Sequence, residues 1–459
     1  MLGKKMNVIL IVIDALRPDH LGAYGYKKDT SPSIDRLAEE GVSFVNTYCT
    51  LPRSDASMTS MLTGLYPYSH GVRMVWGNTR KPPITSLPEI LQSHGYMTGC
   101  IRSGGEMYER FNKGFRDFDL MSWKIKKKIT RGIYKIFNPD NFLGTAEQRV
   151  TTAIKWIDSN KGKKFFLMLH SNDLHWPYPV PKPYEHMFDA EYKGEHDFAT
   201  MCKGKITRGE LIFGLKKLPK EEVTHAIAHY DGGIRYIDSH LKRLFDFLKA
   251  KNIYDNTIII LTADHGENLG EHDFYFQHGA SLYETSLKVP LILQIPNKRI
   301  KNKRIEAKIQ VLDIMPTVLD ILDIPLVDKI EGMSLLPLID GESTAIRDFV
   351  FTESIEEHFP GNKRVYIKGI KGKWRTMIIG DWKIIYIPHP EKDIFELYNI
   401  KRDPTENQNL MDIEKKKAEE MKSKILGFIK LQSNEGEPDA KDLTEKSKKL
   451  LIQAGYLEE

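Results

Sequence analysis

Continuous apolar runs along the chain predict a buried sheet. Four runs are rich in β-branched residues and do not alternate with polar positions, as is typical of strands that are covered on both faces. They lie at 7–13, 164–170, 256–263 and 289–295. We therefore predict four buried parallel strands.

Segments with helical periodicity separate these strands. They are SPSIDRLAEEG from Ser31, SLPEILQSHG ending in Gly95, the long stretch 223–252, and VLDIMPTVLDILDI at 311–324. Strands that alternate with helices indicate an α/β sandwich around a mostly parallel sheet. Two further segments, 121–150 and 203–222, look like insertions, and the sequence assigns them no role.

The pattern changes in the last quarter of the chain. Short strand-like pieces divided by Gly, Pro and charged turns predict a small antiparallel sheet at 346–412. We expect it to pack on a main domain at 1–345. A charged helical tail follows at 413–459, and its Lys/Glu-rich helix is interpreted as amphipathic with a solvated face.

Composition and charge narrow the class of protein. The 459 residues are 41% hydrophobic and 28% charged, which is ordinary for a soluble enzyme. The 67 basic and 62 acidic residues are interspersed. This argues against a nucleic-acid partner, because nucleic-acid binders gather their basic residues in a patch or stripe.

The apolar and cysteine content bears on location. The first apolar run ends in Asp14 instead of a signal-peptide cleavage site, and no stretch approaches the ~18 apolar residues of a membrane helix. Three cysteines without CxxC spacing give no disulfide framework and no structural zinc site. We therefore expect a cytoplasmic protein with no transmembrane segment.

Residues that bind metals follow three of the predicted strands. Asp14 follows the first strand, His170 and His175 lie at and after the end of the second, and Asp264 and His265 follow the third. Ligand sites of open α/β sheets lie beyond the carboxyl ends of the strands, so these side chains are expected at one edge. Each alone is interpreted as a helix cap or a satisfied histidine. Their convergence favours a divalent-cation site with Asp and His ligands.

A hydroxyl nucleophile is indicated by TLPRSDASMTSMLTGLYP at 50–67. A Ser/Thr-rich turn leads there into an apolar stretch, which places a hydroxyl at the start of a helix. Backbone N–H groups and the helix dipole favour an anionic ester at that position and lower the cost of ionising the hydroxyl. Without the metal ligands, an ordinary serine cap would be the preferred interpretation.

Six motifs, in order along the chain, resemble those of the sulfatase family within the alkaline-phosphatase superfamily. They are NVILIVIDALRPDHLGAYGY, SMLTGLYPYSHGV, LHSNDLHWPY, ADHGENLGEH with the following HGASLYETSLKVPLI, VLDIMPTVLDIL with EGMSLLPLI, and ELYNIKRDPTENQNL. The resemblance covers nearly the whole chain. It implies an alkaline-phosphatase-like α/β sandwich with a small C-terminal antiparallel sheet. It also implies a hydrolase for a small-molecule or glycan ester of sulfate or phosphate.

The resemblance assigns roles to individual residues. The implied metal ligands are Asp14, Ser54, Asp264 and His265. Ser54, counted back from the Leu-Thr-Gly at 62–64, also falls on the nucleophile position. His175 falls on the histidine that contacts substrate and protonates the leaving group. His278 falls where many sulfatases place a lysine against the anion.

The chain departs from the family at the nucleophile. Sulfatases convert the Cys or Ser of a C/S-x-P-x-R motif to formylglycine, but the run from Ser54 to Met58 lacks the Pro and the Arg. Cys49 begins a near match five residues too early, and we expect it to serve packing. Ala15 replaces the second aspartate of the usual pair, and the lysine expected near 101–104 is not evident. These departures argue against formylglycine and predict an unmodified serine with one divalent ion, Ca²⁺, Mn²⁺ or Zn²⁺.

Several alternatives stay open at this point. Glu267 and His272 are expected either to orient the metal ligands or to lie on the surface. Sulfate and phosphate are not distinguished, because the missing lysines weaken the case for sulfate while a single ion does not strongly favour phosphate. The alternative functions are a phosphoglycerol or other phospho-group transferase on the same site, and a non-catalytic binding protein of the same fold. The sequence does not indicate the oligomeric state.

Overall fold

The structure, a computed structural model, describes most of the chain. The described residues are 6–73, 84–102, 113–118, 145–192 except 177 and 179, 217–354 except 280, 297, 299 and 327–329, and 373–433 except 390 and 391. The strands are β1 (Asn7–Ile13), β2 (Val42–Tyr48), β3 (Met97–Ile101), β4 (Phe165–Ser171), β5 (Thr257–Thr262), β6 (Asn268–Leu269), β7 (Tyr275–Gln277), β8 (Lys288–Gln294), β9 (Lys303–Gln310), β10 (Val350–Glu353), β11 (Arg375–Ile379), β12 (Trp382–Ile387) and β13 (Ile394–Asn399).

The α-helices connect these strands. They are α1 (Pro32–Glu39), α2 (Ser54–Thr63), α3 (Pro67–His70), α4 (Leu87–Ser93), α5 (Ala146–Asn160), α6 (Lys220–Ala250), α7 (Glu284–Leu287), α8 (Ile314–Ile321), α9 (Leu336–Asp340) and α10 (Lys415–Ser433). Short 3-10 turns lie at Pro18–His20, Gly22–Tyr24, Tyr184–His186, Tyr254–Asn256, Glu271–Asp273 and Val311–Asp313. None of the helices in the described ranges is both long enough and apolar enough to cross a membrane.

The central sheet has seven strands in the order β3-β4-β1-β5-β8-β2-β9. β1 pairs in parallel with β4 on one side and β5 on the other, and β3 is parallel to β4. All seven residues of β1 are buried, so both faces of the sheet are covered there. This coverage explains why the strand is continuously apolar instead of alternating. The predicted α/β sandwich around a mostly parallel sheet is confirmed.

The direction of the fourth predicted strand is wrong. The strand at 289–295 corresponds to β8, which runs antiparallel to both β5 and β2. A continuous apolar run reports burial on both faces but not strand direction. The connection from β5 to β8 contains the β6–β7 hairpin, a 3-10 turn and the short α7, but not the long helix that usually joins parallel neighbours. The apolar pattern also did not single out β2, β3 or β9.

Helix α6 carries two glycines where another segment crosses it. A Cβ atom at Gly232 would lie 2.3 Å from the carbonyl oxygen of Tyr184, and one at Gly233 would lie 2.7 Å from Leu174 Cδ2. The glycines therefore let the chain after β4 pack directly on the helix. This contact positions the segment that contains His175.

The C-terminal strands form the small antiparallel sheet that the sequence predicts, in the order β10-β11-β12-β13. Lys383 on β12 is fully buried and forms ion pairs with Glu284 at 3.0 Å and Glu406 at 2.6 Å. On β10, the Thr352 hydroxyl donates to the Cys49 carbonyl at 2.8 Å. The sheet is thus tied to the loop that precedes α2.

Parts of the predicted organisation lie outside the described residues. The segments 121–150 and 203–222 are described only from 145 and from 217 onward, and the tail is described only as far as residue 433. The domain boundary at residue 345 stays a prediction.

Candidate metal centre and active site

The carboxyl ends of β1 and β5 bring three potential metal ligands together. Asp14 follows β1, and Asp264 and His265 follow β5. One ligand atom from each residue lies within 4.8 Å of the other two, and all three side chains are buried. The residues that the resemblance assigns to the metal are therefore adjacent in space.

Local hydrogen bonds orient these three side chains. Asp264 Oδ1 accepts from the backbone N–H groups of Ala15 at 3.2 Å and His265 at 2.9 Å. His265 donates from Nδ1 to the Gly266 carbonyl at 2.8 Å, which leaves Nε2 for the carboxylates, 3.6 Å from Asp14 Oδ1 and 3.7 Å from Asp264 Oδ2. Ala15 has a φ of 60°, a strained conformation for a residue with a Cβ atom.

The electrostatics of the cluster fit a divalent cation. Burial raises the pKa of Asp14 well above its ordinary value, and the charges of Asp264 and Glu267 raise it further. Burial also acts to raise the pKa of Asp264, but His265 and His170 outweigh it and hold that pKa below its ordinary value. Asp14 Oδ1 and Asp264 Oδ2 are buried without a hydrogen-bond partner. Two buried carboxylates with free oxygens are stabilised by a cation.

Ser54 lies against this cluster. Its Oγ is 3.4 Å from Asp14 Oδ2 and 3.3 Å from His265 Nε2. Ser54 is the first residue of α2, so the hydroxyl also lies at the positive end of a ten-residue helix. The side chain is nearly covered, with 7% of the residue exposed.

His170 lies beside the cluster of Asp14, Asp264 and His265. It lies near the end of β4, and its Nε2 is 3.9 Å from Asp14 Oδ2 and 3.8 Å from Asp264 Oδ2. Burial lowers the pKa of His170 and favours the neutral imidazole. The resemblance gave this residue no role; its place at the carboxyl end of a predicted strand was the signal for it.

His278 and Glu267 form a hydrogen-bonded pair beside the cluster. His278 donates from Nδ1 to Glu267 Oε2 at 2.7 Å, and its ring stacks on that of His265 with centroids 3.9 Å apart. Glu267 is completely buried and also accepts from the Tyr178 hydroxyl at 3.0 Å. Glu267 therefore orients a site histidine and does not lie on the surface.

His175 completes the histidine group. Its ring centroid is 5.5 Å from that of His278, and its Nδ1 donates to the Trp176 carbonyl at 2.9 Å. Because Nδ1 carries the proton, Nε2 is the titratable nitrogen of the ring. The two histidines that the resemblance assigns to substrate are therefore neighbours.

Other residues singled out in the sequence lie apart from this group. His272 donates from Nε2 to the Thr405 carbonyl at 3.1 Å and stacks on Tyr283, so it contacts the C-terminal segment. Cys49 is buried, and burial raises the pKa of its thiol well above the ordinary value, as expected for a packing residue. Arg102 is buried after β3, in the region where the family places a lysine; residues 103 and 104 lie outside the described part of the chain.

This chain matches family models and relatives of one kind of protein, the sulfatases. The family described as Sulfatase matches residues 6–324, and the family described as N-sulphoglucosamine sulphohydrolase, C-terminal, matches residues 270–431. An arylsulfatase of Clostridium perfringens is 28% identical, covering 90% of this chain and 92% of its own length. An N-acetylglucosamine-6-O-sulfatase of Bacteroides thetaiotaomicron is 26% identical, covering 96% of this chain and 88% of its own length.

Solved structures share the fold. A protein in complex with its substrate D-glucosamine-2-N,6-O-disulfate superimposes with a TM-score of 0.75 at 21% identity, covering 95% of this chain and all of that one. The phosphonate monoester hydrolase of Agrobacterium radiobacter gives a TM-score of 0.73 at 20% identity, covering 96% and 98% of the two chains. The family match, the relatives and the fold agree with the sequence motifs. The chain therefore belongs to the sulfatase family of the alkaline-phosphatase superfamily and is a hydrolase of the sulfate or phosphate ester class.

Proposed function

We propose that the chain cleaves sulfate or phosphate esters through Ser54, unmodified, as the nucleophile, with one divalent cation in the site. The observation that carries the proposal is the position of Ser54 Oγ, 3.3 Å from His265 Nε2 and 3.4 Å from Asp14 Oδ2, at the start of α2. The absence of the Pro and Arg of the modification motif after Ser54 supports an unmodified side chain.

The cation belongs to this proposal. Asp14, Asp264 and His265 would hold it, and two carboxylate oxygens with no partner among the described residues, together with an imidazole nitrogen, fit Ca²⁺, Mn²⁺ or Zn²⁺. When bound, the cation would supply positive charge to the non-bridging ester oxygens and lower the pKa of the Ser54 hydroxyl.

The chain's own residues account for the two halves of the reaction. The Ser54 hydroxyl gives its proton to Asp14 Oδ2, 3.4 Å away, as Oγ attacks phosphorus or sulfur in line with the leaving alcohol, whose bond to phosphorus or sulfur breaks. The N-terminal N–H groups of α2 stabilise charge on the ester oxygens. His175 donates the proton that the alcohol needs to leave. His278, held by Glu267, places a positive edge against the anion where relatives carry a lysine.

Release of the product follows from the chemistry of a serine ester. Such an ester has no second hydroxyl on Cβ, so it does not collapse to an aldehyde, and water must attack phosphorus or sulfur. His175, which has lost its proton to the alcohol, is then in the correct state to deprotonate that water. The bond from phosphorus or sulfur to Ser54 Oγ breaks, and Oγ regains its proton from Asp14. The same histidine serves both steps.

For the substrate, we propose a small-molecule or glycan ester. The similarity to an arylsulfatase, to an N-acetylglucosamine-6-O-sulfatase and to a structure bound to a glucosamine disulfate supports an aryl or sugar alcohol. The similarity to a phosphonate monoester hydrolase supports including phosphorus esters. Aryl sulfate, aryl phosphate and N-acetylglucosamine 6-sulfate are therefore the first substrates to compare.

A matched pair of serine variants tests the nucleophile. Purified protein is assayed with Mn²⁺, Ca²⁺ or Zn²⁺ on the three esters. Ser54→Ala should lower kcat by on the order of 10⁴-fold or more, as when other covalent nucleophiles are removed. Ser57→Ala should retain most of the turnover. Ser57 is also a buried serine of α2, but its hydroxyl forms no hydrogen bond with any described residue, including the metal ligands.

Three outcomes would contradict the proposal. Robust turnover by Ser54→Ala would exclude Ser54 as the nucleophile. Transfer of the phosphoryl or sulfuryl group to an added alcohol in preference to water would identify a transferase. Failure of the wild-type protein to bind any of the three cations in a calorimetric titration, together with no turnover, would favour a non-catalytic binding protein.

A further inference from the structure

We infer that His170 is a direct ligand of the divalent cation, so that the ion is bound by two carboxylates and two imidazoles of the chain. The inference rests on the cation of the proposed function and adds a ligand to it. Neither the family resemblance nor the three-residue cluster assigns His170 to the metal.

His170 is buried, and none of the described residues forms a hydrogen bond with its ring. Only 2% of the residue is exposed, and in the described part of the chain neither Nδ1 nor Nε2 has a hydrogen-bond partner. The carboxylate oxygens at 3.8 and 3.9 Å from Nε2 are too distant to accept one. Buried polar groups are almost always paired, because leaving one unpaired costs free energy. An ion between the ring and the two carboxylates would supply the missing partner of Nε2.

His170 and His265 lie at similar distances from the same two carboxylates. His265 Nε2 is 3.6 Å from Asp14 Oδ1 and 3.7 Å from Asp264 Oδ2. His170 Nε2 is 3.9 Å from Asp14 Oδ2 and 3.8 Å from Asp264 Oδ2, so the two rings face different oxygens of Asp14 and the same oxygen of Asp264. Ligand atoms bonded to one ion at about 2.1 Å and at tetrahedral angles are roughly 3.4 Å apart, a few tenths of an ångström less than these separations. A shell that expands beyond four ligands leaves a position for an ester oxygen beside both imidazoles.

The residue after Asp14 brings no charge to the ion. The resemblance implies a second aspartate there, and the chain has Ala15. His170 reaches Asp14 and Asp264 from the adjacent strand β4 and brings a neutral donor in place of that charge. A site with two carboxylates and two imidazoles prefers Zn²⁺ or Mn²⁺ to Ca²⁺, which takes oxygen ligands in larger number.

The experiment counts imidazoles at the bound metal. Zinc-loaded wild-type protein, His170→Ala and His225→Ala are examined by Zn K-edge X-ray absorption, and their Zn²⁺ and Ca²⁺ affinities are measured by competition with a chelator. His225 is a matched control, because it is as buried as His170 but pairs with Asp189, which is not one of the metal ligands. Thermal unfolding confirms that each variant is folded.

We expect two imidazoles in the wild type and in His225→Ala, and one in His170→Ala. Zn²⁺ affinity should fall more than ~100-fold in His170→Ala, beyond the 10- to 100-fold typical of a residue that only orients a ligand. Ca²⁺ affinity should fall much less. His170→Asp introduces a carboxylate and should bind Ca²⁺ more tightly than the wild type does. This variant also tests the inference if the alanine variant does not fold.

The inference and the proposed function fail in different ways. One imidazole in zinc-loaded wild type, or an unchanged imidazole count in His170→Ala, would overturn the inference while leaving the cation of the proposed function in place. A wild-type protein that binds neither Zn²⁺ nor Ca²⁺ would overturn both.

Discussion

Replacing Glu267 by glutamine tests whether the charge behind His278 contributes to catalysis. The carboxylate is completely buried, and it accepts from His278 Nδ1 at 2.7 Å and from the Tyr178 hydroxyl at 3.0 Å. Its backbone is held independently, because the Arg17 guanidinium donates to the Glu267 carbonyl at 3.1 Å. Glutamine preserves the shape but removes the charge and leaves one acceptor oxygen for the two donors, because its other terminal atom is an NH₂ donor.

The size of the effect follows from the lost hydrogen bond. A hydrogen bond to a charged group contributes about 1.5–3 kcal/mol, and each 1.36 kcal/mol of transition-state stabilisation is a factor of ten in rate. We therefore expect kcat to fall by about 10- to 150-fold in Glu267→Gln. Because the charge on His278 matters most as negative charge develops on the anion, kcat/KM should fall by a similar factor and KM should change little.

The assay is steady-state hydrolysis of whichever aryl ester the wild type turns over, at saturating metal. Glu396→Gln is the control. Like Glu267, Glu396 accepts hydrogen bonds from two side chains, but both are tyrosine hydroxyls, those of Tyr283 and Tyr398, and no described histidine pairs with it. A Glu267→Gln variant with near wild-type kcat, or one that loses activity only through a raised KM, would refute the assigned role of the pair.

Two further predictions concern stability. Lys383→Met should lower the free energy of unfolding by about 3–5 kcal/mol in urea titrations. It leaves the largely buried Glu284 and the buried Glu406 without their cation. An unchanged urea midpoint would contradict this. Asp238 accepts from the N–H groups of Ser33 and Ile34 at the start of α1, and burial raises its pKa from 3.8 to about 6. The folded protein therefore holds a proton that the unfolded chain releases near pH 3.8, so this stabilisation is complete below pH 3.8 and is lost as the pH rises through about 6. On the order of 3 kcal/mol is lost in this way, and Asp238→Asn should flatten the decline between pH 4 and 6; equal slopes in both proteins would exclude Asp238 as its source.

The sequence pattern was most informative where burial is complete. The run at 7–13 coincides with β1, and the periodic stretch at 223–252 corresponds to α6 at Lys220–Ala250. The edge that carries Asp14, Asp264 and His265 followed from strand ends alone, because parallel neighbours align their carboxyl ends. The position of Ser54, by contrast, needed the family motif, since a serine at a helix start is common.

What the sequence did not reveal depends on contacts between distant segments. The antiparallel direction of β8 depends on a connection from β5 that contains no long crossover helix, and a hydrophobic run does not encode this. The pairing of His278 with Glu267 depends on a turn between them, and the hairpin β6–β7 makes that turn. The proximity of His170 to two carboxylates depends on the register of β4 against β1. The cytoplasmic location stays a prediction.

The most direct test of the central claim is peptide mass analysis of protein quenched with acid during turnover of an aryl phosphate or aryl sulfate. The account predicts that the peptide containing Ser54 carries the mass of one phosphoryl or sulfuryl group, that the adduct maps to Ser54, and that the resting protein has unmodified Ser54 and Cys49. Formylglycine at either position, or an adduct on another residue, would contradict it.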